Sequence, residues 1–432
     1  MSLLLRNANS LSWDMSIGDF TLHTGHILLE NNCITHIPAG APVPDADTEH
    51  DLHHRLVTAP LVNCHHHFYS LPARGLVPEG DLNDFSAILE QLWWKLDRAL
   101  SLDAIRLSAR QSLRESIRQG VLTLFDHHSS PNETTAALST IATEVERLRL
   151  RAVLCHELSD RNGEEICAKQ LSENRHFITS CEQNAQLKGV MGLHASFTIN
   201  DSTLAEVAEK PVHIHLAEDP IDSKRSLELY GEAASRRLSA NGLLQPGSIL
   251  AHGNHLNGDE LKLVAESGSV LVHNPHSNMN NAVGTLDLTQ ALAQGCSIAP
   301  GTDGMHSSIT STLKGAFLLL RHTSNDPTIG FPEVRALVKG MFQLGKHYFP
   351  QLPLLQDGDS ADLVVWEYQP LTPLRRDNLW GHFIYGLLES EPKHVFANGD
   401  PLLQDGRLLI DDDDSEKSQA VMNKVWESIY RV

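Results

Sequence analysis

The sequence predicts an α/β protein: a closed (β/α)8 TIM barrel over 58–359, with a small β-sandwich domain built from both termini, 1–57 and 360–432. Three observations predict it. From about residue 57 of the 432-residue chain, short β-rich runs alternate with longer helical patterns. Eight such runs occur, each followed by a helical stretch, which is the repeat of a closed parallel barrel. Four chemistry-bearing motifs, N-C-H-H-H at 63–67, H-I-H-L-A-E at 213–218, A-H-G-N-H at 251–255 and G-T-D-G at 301–304, each follow an apolar run, where a strand ends. A doubly wound open sheet is the competing fold, but no Gly-rich phosphate fingerprint follows the first strand.

The strand candidates are 60–64, 121–126, 150–156, 189–194, 211–216, 248–252, 269–273 and 296–300. Between the first two, Phe85, Ile88, Leu89, Leu92, Trp93, Leu96 and Leu100 recur at helical spacing and predict a helix over 84–100. Ser101 is placed to cap a second helix over 101–119, which Gly120 stops before Val121. Later helices are expected at 133–148, 222–240, 257–267 and 286–294. Outside the barrel, Ile27–Glu30 and Cys33–His36 alternate as strands do, broken by Asn31-Asn32 and the Pro/Ala-rich segment 38–45. The segments 362–367 and 393–410 are also strand-like, and Asn398-Gly399 is a strong hairpin turn. Asp411–Asp414 reads as a solvated linker. Val421, Val425 and Ile429 then mark a final helix over 417–430.

Composition narrows the function. With 41% hydrophobic and 20% charged residues, the chain is an ordinary globular protein, and no apolar run approaches the ~18 residues that span a bilayer. A net charge of −20 without a Lys/Arg block argues against nucleic acid or an anionic membrane as partner. Six scattered cysteines with no C-x-x-C pair, and no secretory leader pattern, fit a reducing cytoplasm.

The chemistry lies at the strand ends. His65 and His67 are two apart, and a strand's period of two aims both imidazoles at one face. His215 and Asp303 would complete a nitrogen/oxygen set suited to a divalent metal such as zinc, with iron or manganese as alternatives. His194, from strand four, and His252, from strand six, would face the same mouth. Glu218, three residues past His215, can reach that mouth without ligating and move protons. His66 lies between the paired ligands and His213 stands beside His215; both are expected to be structural. Asp126-His127-His128 either line the pocket, brace the first-strand ligands or are structural.

These motifs, together with G-L-H-A-S at 192–196 and H-N-P-H-S-N at 273–278, resemble the amidohydrolase superfamily in its aminohydrolase branch, which includes guanine, adenosine-type and cytosine deaminases and triazine hydrolases. The likeness extends through A-D-L-V-V at 361–365 and V-F-A-N-G at 395–399. It is strongest to SsnA-type aminohydrolases, through Asn63–Gly75, L-W-W-K-L-D at 92–97, F-D-H-H at 125–128 and the run 273–284; 8-oxoguanine deaminases are similar around the first and second strands. The resemblance implies one metal on His65, His67, His215 and Asp303, and Glu218 as proton shuttle. It implies that His252 contacts the activated water and that His194 contacts substrate. Arg74, Ser277 and Asn278 fall on segments that border the family's pocket. A homodimer acting on a small molecule is also implied. Ala59-Pro60-Leu61-Val62-Asn63 stands where the family has P-G-L-V-N, and 304–310 lacks the acidic or amide group often found after the aspartate. The expected reaction is hydrolytic deamination of a small nitrogen heterocycle by metal-activated water. A triazine-type dehalogenase, a two-metal cyclic-amide hydrolase and a metal-stabilised scaffold are the alternatives.

Overall fold

Eight strand positions close a parallel barrel in which every predicted run forms a strand, with ends shifted by only a few residues. The computed structural model describes residues 2–410 and 415–430, so the acidic run at 411–414 lies outside the described residues. Five strands precede the barrel: β1 (Leu3–Asp14), β2 (Asp19–Glu30), β3 (Cys33–Pro38), β4 (Thr48–Asp51) and β5 (Leu56–Thr58). The barrel begins with β6 (Leu61–His66), β7 (Val121–His128), β8 (Arg151–His156) and β9 (Leu187–Gly189), paired in that order and all parallel. A second arc runs β10 (Met191–Ala195), β11 (Val212–Leu216), β12 (Ile249–His252), β13 (Val270–His273) and β14 (Ser297–Pro300), again parallel.

Two parallel bridges join the arcs, Leu158 with Leu193 and His66 with Asp303. At the second, the Thr302 and Asp303 amides both donate to the His65 carbonyl at 3.0 Å, so closure itself sets the aspartate beside the first histidines. The fourth predicted strand, expected as one run over 189–194, is divided into β9 and β10. Gly192 permits a close approach of β10 to the end of β8, since a Cβ there would lie 2.5 Å from the His156 carbonyl oxygen.

The termini supply β15 (Leu363–Trp366), β16 (Pro392–Ala397), β17 (Asp400–Gln404) and β18 (Arg407–Leu408) to a sheet ordered β18-β17-β16-β15-β5-β1-β2-β3, with β4 alongside β5 on β1. Strands from both ends thus belong to one continuous nine-stranded sheet. Its pairing does not divide it into the two layers of a sandwich. Antiparallel pairing of β15 with β5 joins the two ends, and the Trp366 indole donates to Thr58 Oγ1 at 2.9 Å. Trp13 packs on Phe342 of the helix Phe331–Tyr348 at 5.4 Å, which seats the sheet against the barrel.

The final helix, Ser415–Ile429, packs on helices of the barrel. Trp426 Nε1 donates to the Pro72 carbonyl and Tyr430 to that of Val77. The helix expected over 84–100 is interrupted: Phe85–Ile88 is α-helical, Leu89–Trp93 forms a π turn and Trp94–Ala99 resumes the α-helix. That interruption shapes the site.

Candidate active site

His65 and His67 leave the end of β6, His215 the end of β11, and Asp303 follows β14. Their ligand atoms converge, with His65, His67 and Asp303 mutually within 4.8 Å. His67 Nε2 lies 3.0 Å from Asp303 Oδ1 and 3.2 Å from His215 Nε2, and His65 Nε2 lies 3.6 Å from Asp303 Oδ1. All four residues are largely or wholly buried.

The hydrogen bonds behind each ring decide what faces inward. His67 Nδ1 bonds the His127 carbonyl at 2.5 Å and His215 Nδ1 bonds the His194 carbonyl at 3.0 Å. A carbonyl only accepts, so each Nδ1 carries the proton and each Nε2 is a lone pair. His65 Nδ1 lies 2.8 Å from His213 Nε2, leaving its own Nε2 buried without a partner. The Nε2 atoms of His67, His215 and His65 and the Asp303 carboxylate thus meet at a common spot. That set fits a divalent cation, and the carbonyl and histidine supports are what ligand imidazoles require.

Glu218 and His252 sit at the rim of this spot. His252 Nε2 is 3.4 Å from Glu218 Oε2 and 3.6 Å from Asp303 Oδ2. Burial first, then the Asp303 and Asp222 charges, push the Glu218 carboxyl well above its ordinary range, which suits a group that holds a proton. Left-handed backbone at Ala217, His252 and Asp303 (φ 48°, 76° and 54°) carries strain at three of the turns that aim these groups.

Not every residue expected at the site reaches it. His194 and Ser277 line the cavity. Asn278 instead lies behind it, fully buried: its Oδ1 accepts from His252 Nδ1 at 2.8 Å and its amide donates to Asn254 Oδ1 at 2.7 Å. Asn254 in turn donates to the Glu218 carbonyl at 3.0 Å, so one amide chain ties the histidine to the acid. Arg74 is turned away, its guanidinium paired twice with Glu115 at 2.5 and 2.7 Å, half exposed. A long flexible cation takes the nearest carboxylate, and here that carboxylate is outside the cavity.

His66 is structural as expected, its Nδ1 within 2.9 Å of Thr302 Oγ1 and of the Asp303 carbonyl. The Asp126-His127-His128 run braces and does not line the cavity. Asp126 accepts from the Phe68 amide at 2.7 Å, His127 Nε2 bonds the Leu193 and His213 carbonyls, and His128 bonds Ser130. After Asp303, Gly304 and Met305 reach the cavity, while His306 pairs with His276 at 2.5 Å.

Sequence reasoning missed the far wall. Trp93, Trp94, Asp97, Glu157, Arg161 and Phe197 all line the cavity. Arg161 bonds Asp97 and lies 2.9 Å from Glu157. Burial raises Asp97 to about 7 against the pull of Arg161, whereas at Glu157 the charge of Arg161 overcomes burial and holds it at about 2. The only signal was the L-W-W-K-L-D run, which stood out by its likeness alone.

With this geometry in place, the amidohydrolase family model matches residues 56–402, most of the chain. The chain belongs to the amidohydrolase family. Among curated amidohydrolase relatives it is 28% identical over 421 residues to a 5'-deoxyadenosine deaminase of Methanosarcina barkeri, covering 94% of both chains. It is 26% identical over 438 residues to a 5-methylthioadenosine/S-adenosylhomocysteine deaminase of Desulforudis audaxviator, covering 97% of both. Among solved structures it superposes on an adenosine deaminase from Xanthomonas campestris with bound zinc, at TM-score 0.81 and 20% identity, over 100% of this chain and 99% of that one. Atrazine chlorohydrolase from Arthrobacter aurescens, complexed with zinc, matches at TM-score 0.78 and 18% identity, over 98% and 100%. This amidohydrolase has no helix among its described residues long and apolar enough to cross a membrane.

Proposed function

We propose that this amidohydrolase is a deaminase: it removes an amino group as ammonia from a small nitrogen heterocycle, using one divalent ion, zinc before iron or manganese. The observation that carries the reading is the convergence of the His65, His67 and His215 imidazoles and Asp303 beside the Glu218–His252 pair. His65, His67, His215 and Asp303 would hold the ion. Bound there, a divalent ion supplies hydroxide at neutral pH by lowering the pKa of water from 15.7 to about 7.

The chain's own groups handle protons and orientation. Asp303 Oδ2 takes the proton that water releases. Glu218 gives its proton to the ring nitrogen beside the amino-bearing carbon, which makes that carbon electrophilic. Oxygen adds to the carbon, and the second proton passes through Glu218 to the departing nitrogen, which leaves as ammonia. His252, its Nδ1–H held by Asn278, presents a lone pair to the hydrogen of the attacking oxygen. His194 and the aromatic walls hold the ring. The small sheet of 1–57 with 360–432 is read as an accessory domain on the barrel of 58–359.

A two-metal amide hydrolase is disfavoured because the fourth strand position carries His194 near its end, and Lys188 is turned to the Glu182 carbonyl. The test is ammonia release from a panel of purines, pyrimidines, pterins and triazines by zinc-loaded protein. Glu218→Gln is expected to lose about 10²–10⁴-fold in turnover while keeping its metal; full turnover in that variant, or no release from any heterocycle, refutes the reading.

A further inference from the structure

The cavity wall away from the histidine centre carries charge that the hydrolytic step does not use. The side chains of Asp97, Glu157 and Arg161 are only 2%, 3% and 8% exposed. One guanidinium nitrogen, Nη2, serves both carboxylates, and Ser129 Oγ lies 3.1 Å from Asp97 and 3.3 Å from Glu157. With Asp97 raised to about 7, two carboxylates against one cation leave this wall between neutral and singly negative around neutral pH, and never positive. Asp97 Oδ1 and the Trp94 indole nitrogen are buried with no partner. A buried carboxylate oxygen without a donor is costly, and a ligand N–H would relieve it.

His194 adds an independent acceptor. Thr198 Oγ1 lies 2.9 Å from the Ala195 carbonyl and 2.9 Å from His194 Nδ1. The hydroxyl has one hydrogen, and the carbonyl can only accept, so that hydrogen goes to Ala195. The threonine oxygen must then accept from His194 Nδ1–H, which leaves Nε2 as a bare lone pair on a side chain that lines the cavity. Between these acceptors the π turn at Leu89–Trp93 lets the consecutive Trp93 and Trp94 both line the cavity, giving flat walls for a planar ring.

Resting on the deaminase reading, we propose that the substrate is an uncharged or cationic planar heterocycle. Its end away from the departing amino group presents N–H donors to Asp97 and His194, and Asp97 with Glu157 rejects phosphorylated forms. Arg161 Nη2 is shared by the two carboxylates, which offset the guanidinium charge, while its Nε is buried without a partner.

Tryptophan fluorescence of the zinc-loaded protein reads binding without turnover, through Trp93 and Trp94. The ligands are guanine, adenine and cytosine; 9-methylguanine, 9-methyladenine and 1-methylcytosine, which each lack one ring N–H; and the three nucleoside monophosphates. At least one free base is expected to bind, its N-methyl form about tenfold more weakly and its monophosphate about 100-fold more weakly. In Asp97→Asn, Arg161 claims the amide oxygen and turns the NH2 toward the ligand, weakening the base by about tenfold. Thr198→Val, which frees the His194 tautomer, weakens it by about fivefold with zinc content unchanged. A monophosphate that binds as tightly as its base, two variants within twofold of wild type, or no binding by any ligand overturns the proposal. Binding without ammonia release leaves it standing and refutes the deaminase reading instead.

Discussion

Replacing Asn278 by leucine isolates the amide that fixes His252. Leucine branches at Cγ as asparagine does but is bulkier, so the buried position is filled, with some overpacking, while two hydrogen bonds disappear. Asn254 is partly exposed and can turn to water. His252 is fully buried, so its Nδ1–H is stranded at a cost of ~1–3 kcal/mol. An unfolding entropy of ~2.1 cal/mol/K per residue over 432 residues gives roughly 0.9 kcal/mol/K, so Tm should fall by about 1–3 °C. Catalysis should suffer more than stability. Without Asn278 the proton is free to move to Nε2, which turns an acceptor facing Glu218 and Asp303 into a donor. Loss of such a bracing bond typically costs about 10–100-fold, and here the loss should fall on kcat with KM nearly unchanged. Ammonia release, zinc content and thermal denaturation measure the three quantities on one preparation. A kcat within threefold of wild type would refute the tautomer argument. Zinc lost in step with activity would make Asn278 a support of the metal centre instead.

Removing metal with a chelator should abolish ammonia release and lower Tm by several degrees, since bound ligand stabilises the native state by RT ln(1 + [L]/Kd). One equivalent of zinc should restore both, and a requirement for two would contradict the single-ion reading. Arg74→Ala should change kcat/KM by less than about threefold, because the exposed pair with Glu115 contributes little; a tenfold rise in KM would return Arg74 to the substrate. Gly340→Ala should destabilise the fold by at least ~1–3 kcal/mol, read as a lower urea midpoint, because its Cβ would meet the Ile298 carbonyl oxygen at 2.1 Å. An unchanged midpoint would mean that the helix Phe331–Tyr348 can lift away from β14.

The convergence of these four side chains was legible in the sequence because of where barrel strands end. Parallel strands deliver their C-terminal residues to one mouth, so local reading suffices for His65, His67, His215 and Asp303, once the runs before them are recognised as strands. The period of two separates His65 and His67 from His66, and His66 indeed braces the Asp303 turn from outside. Side chains whose role depends on a remote partner were not legible in this way. Nothing in 273–284 says that Asn278 meets His252 rather than substrate, and nothing near Arg74 announces Glu115. Glu157 and Arg161, four apart after β8, read locally as an ordinary ion pair; only the helix arriving from 94–99 with Asp97 makes them a wall of the cavity.

That helix shows the limit most sharply. Its apolar spacing reads as one uniform α-helix, in which Trp94 stands nine residues beyond Phe85. At about 100° per residue, nine steps place it roughly half a turn away, facing out of the cavity that Phe85 lines. The π turn at Leu89–Trp93 spreads five residues over a turn and rotates the segment after it, so Phe85, Leu89, Trp93, Trp94 and Asp97 all reach the same cavity. Periodicity cannot announce its own interruption when the residues on both sides of the slip are apolar. The wall that selects the ligand was therefore hidden by the regularity that made the helix easy to predict.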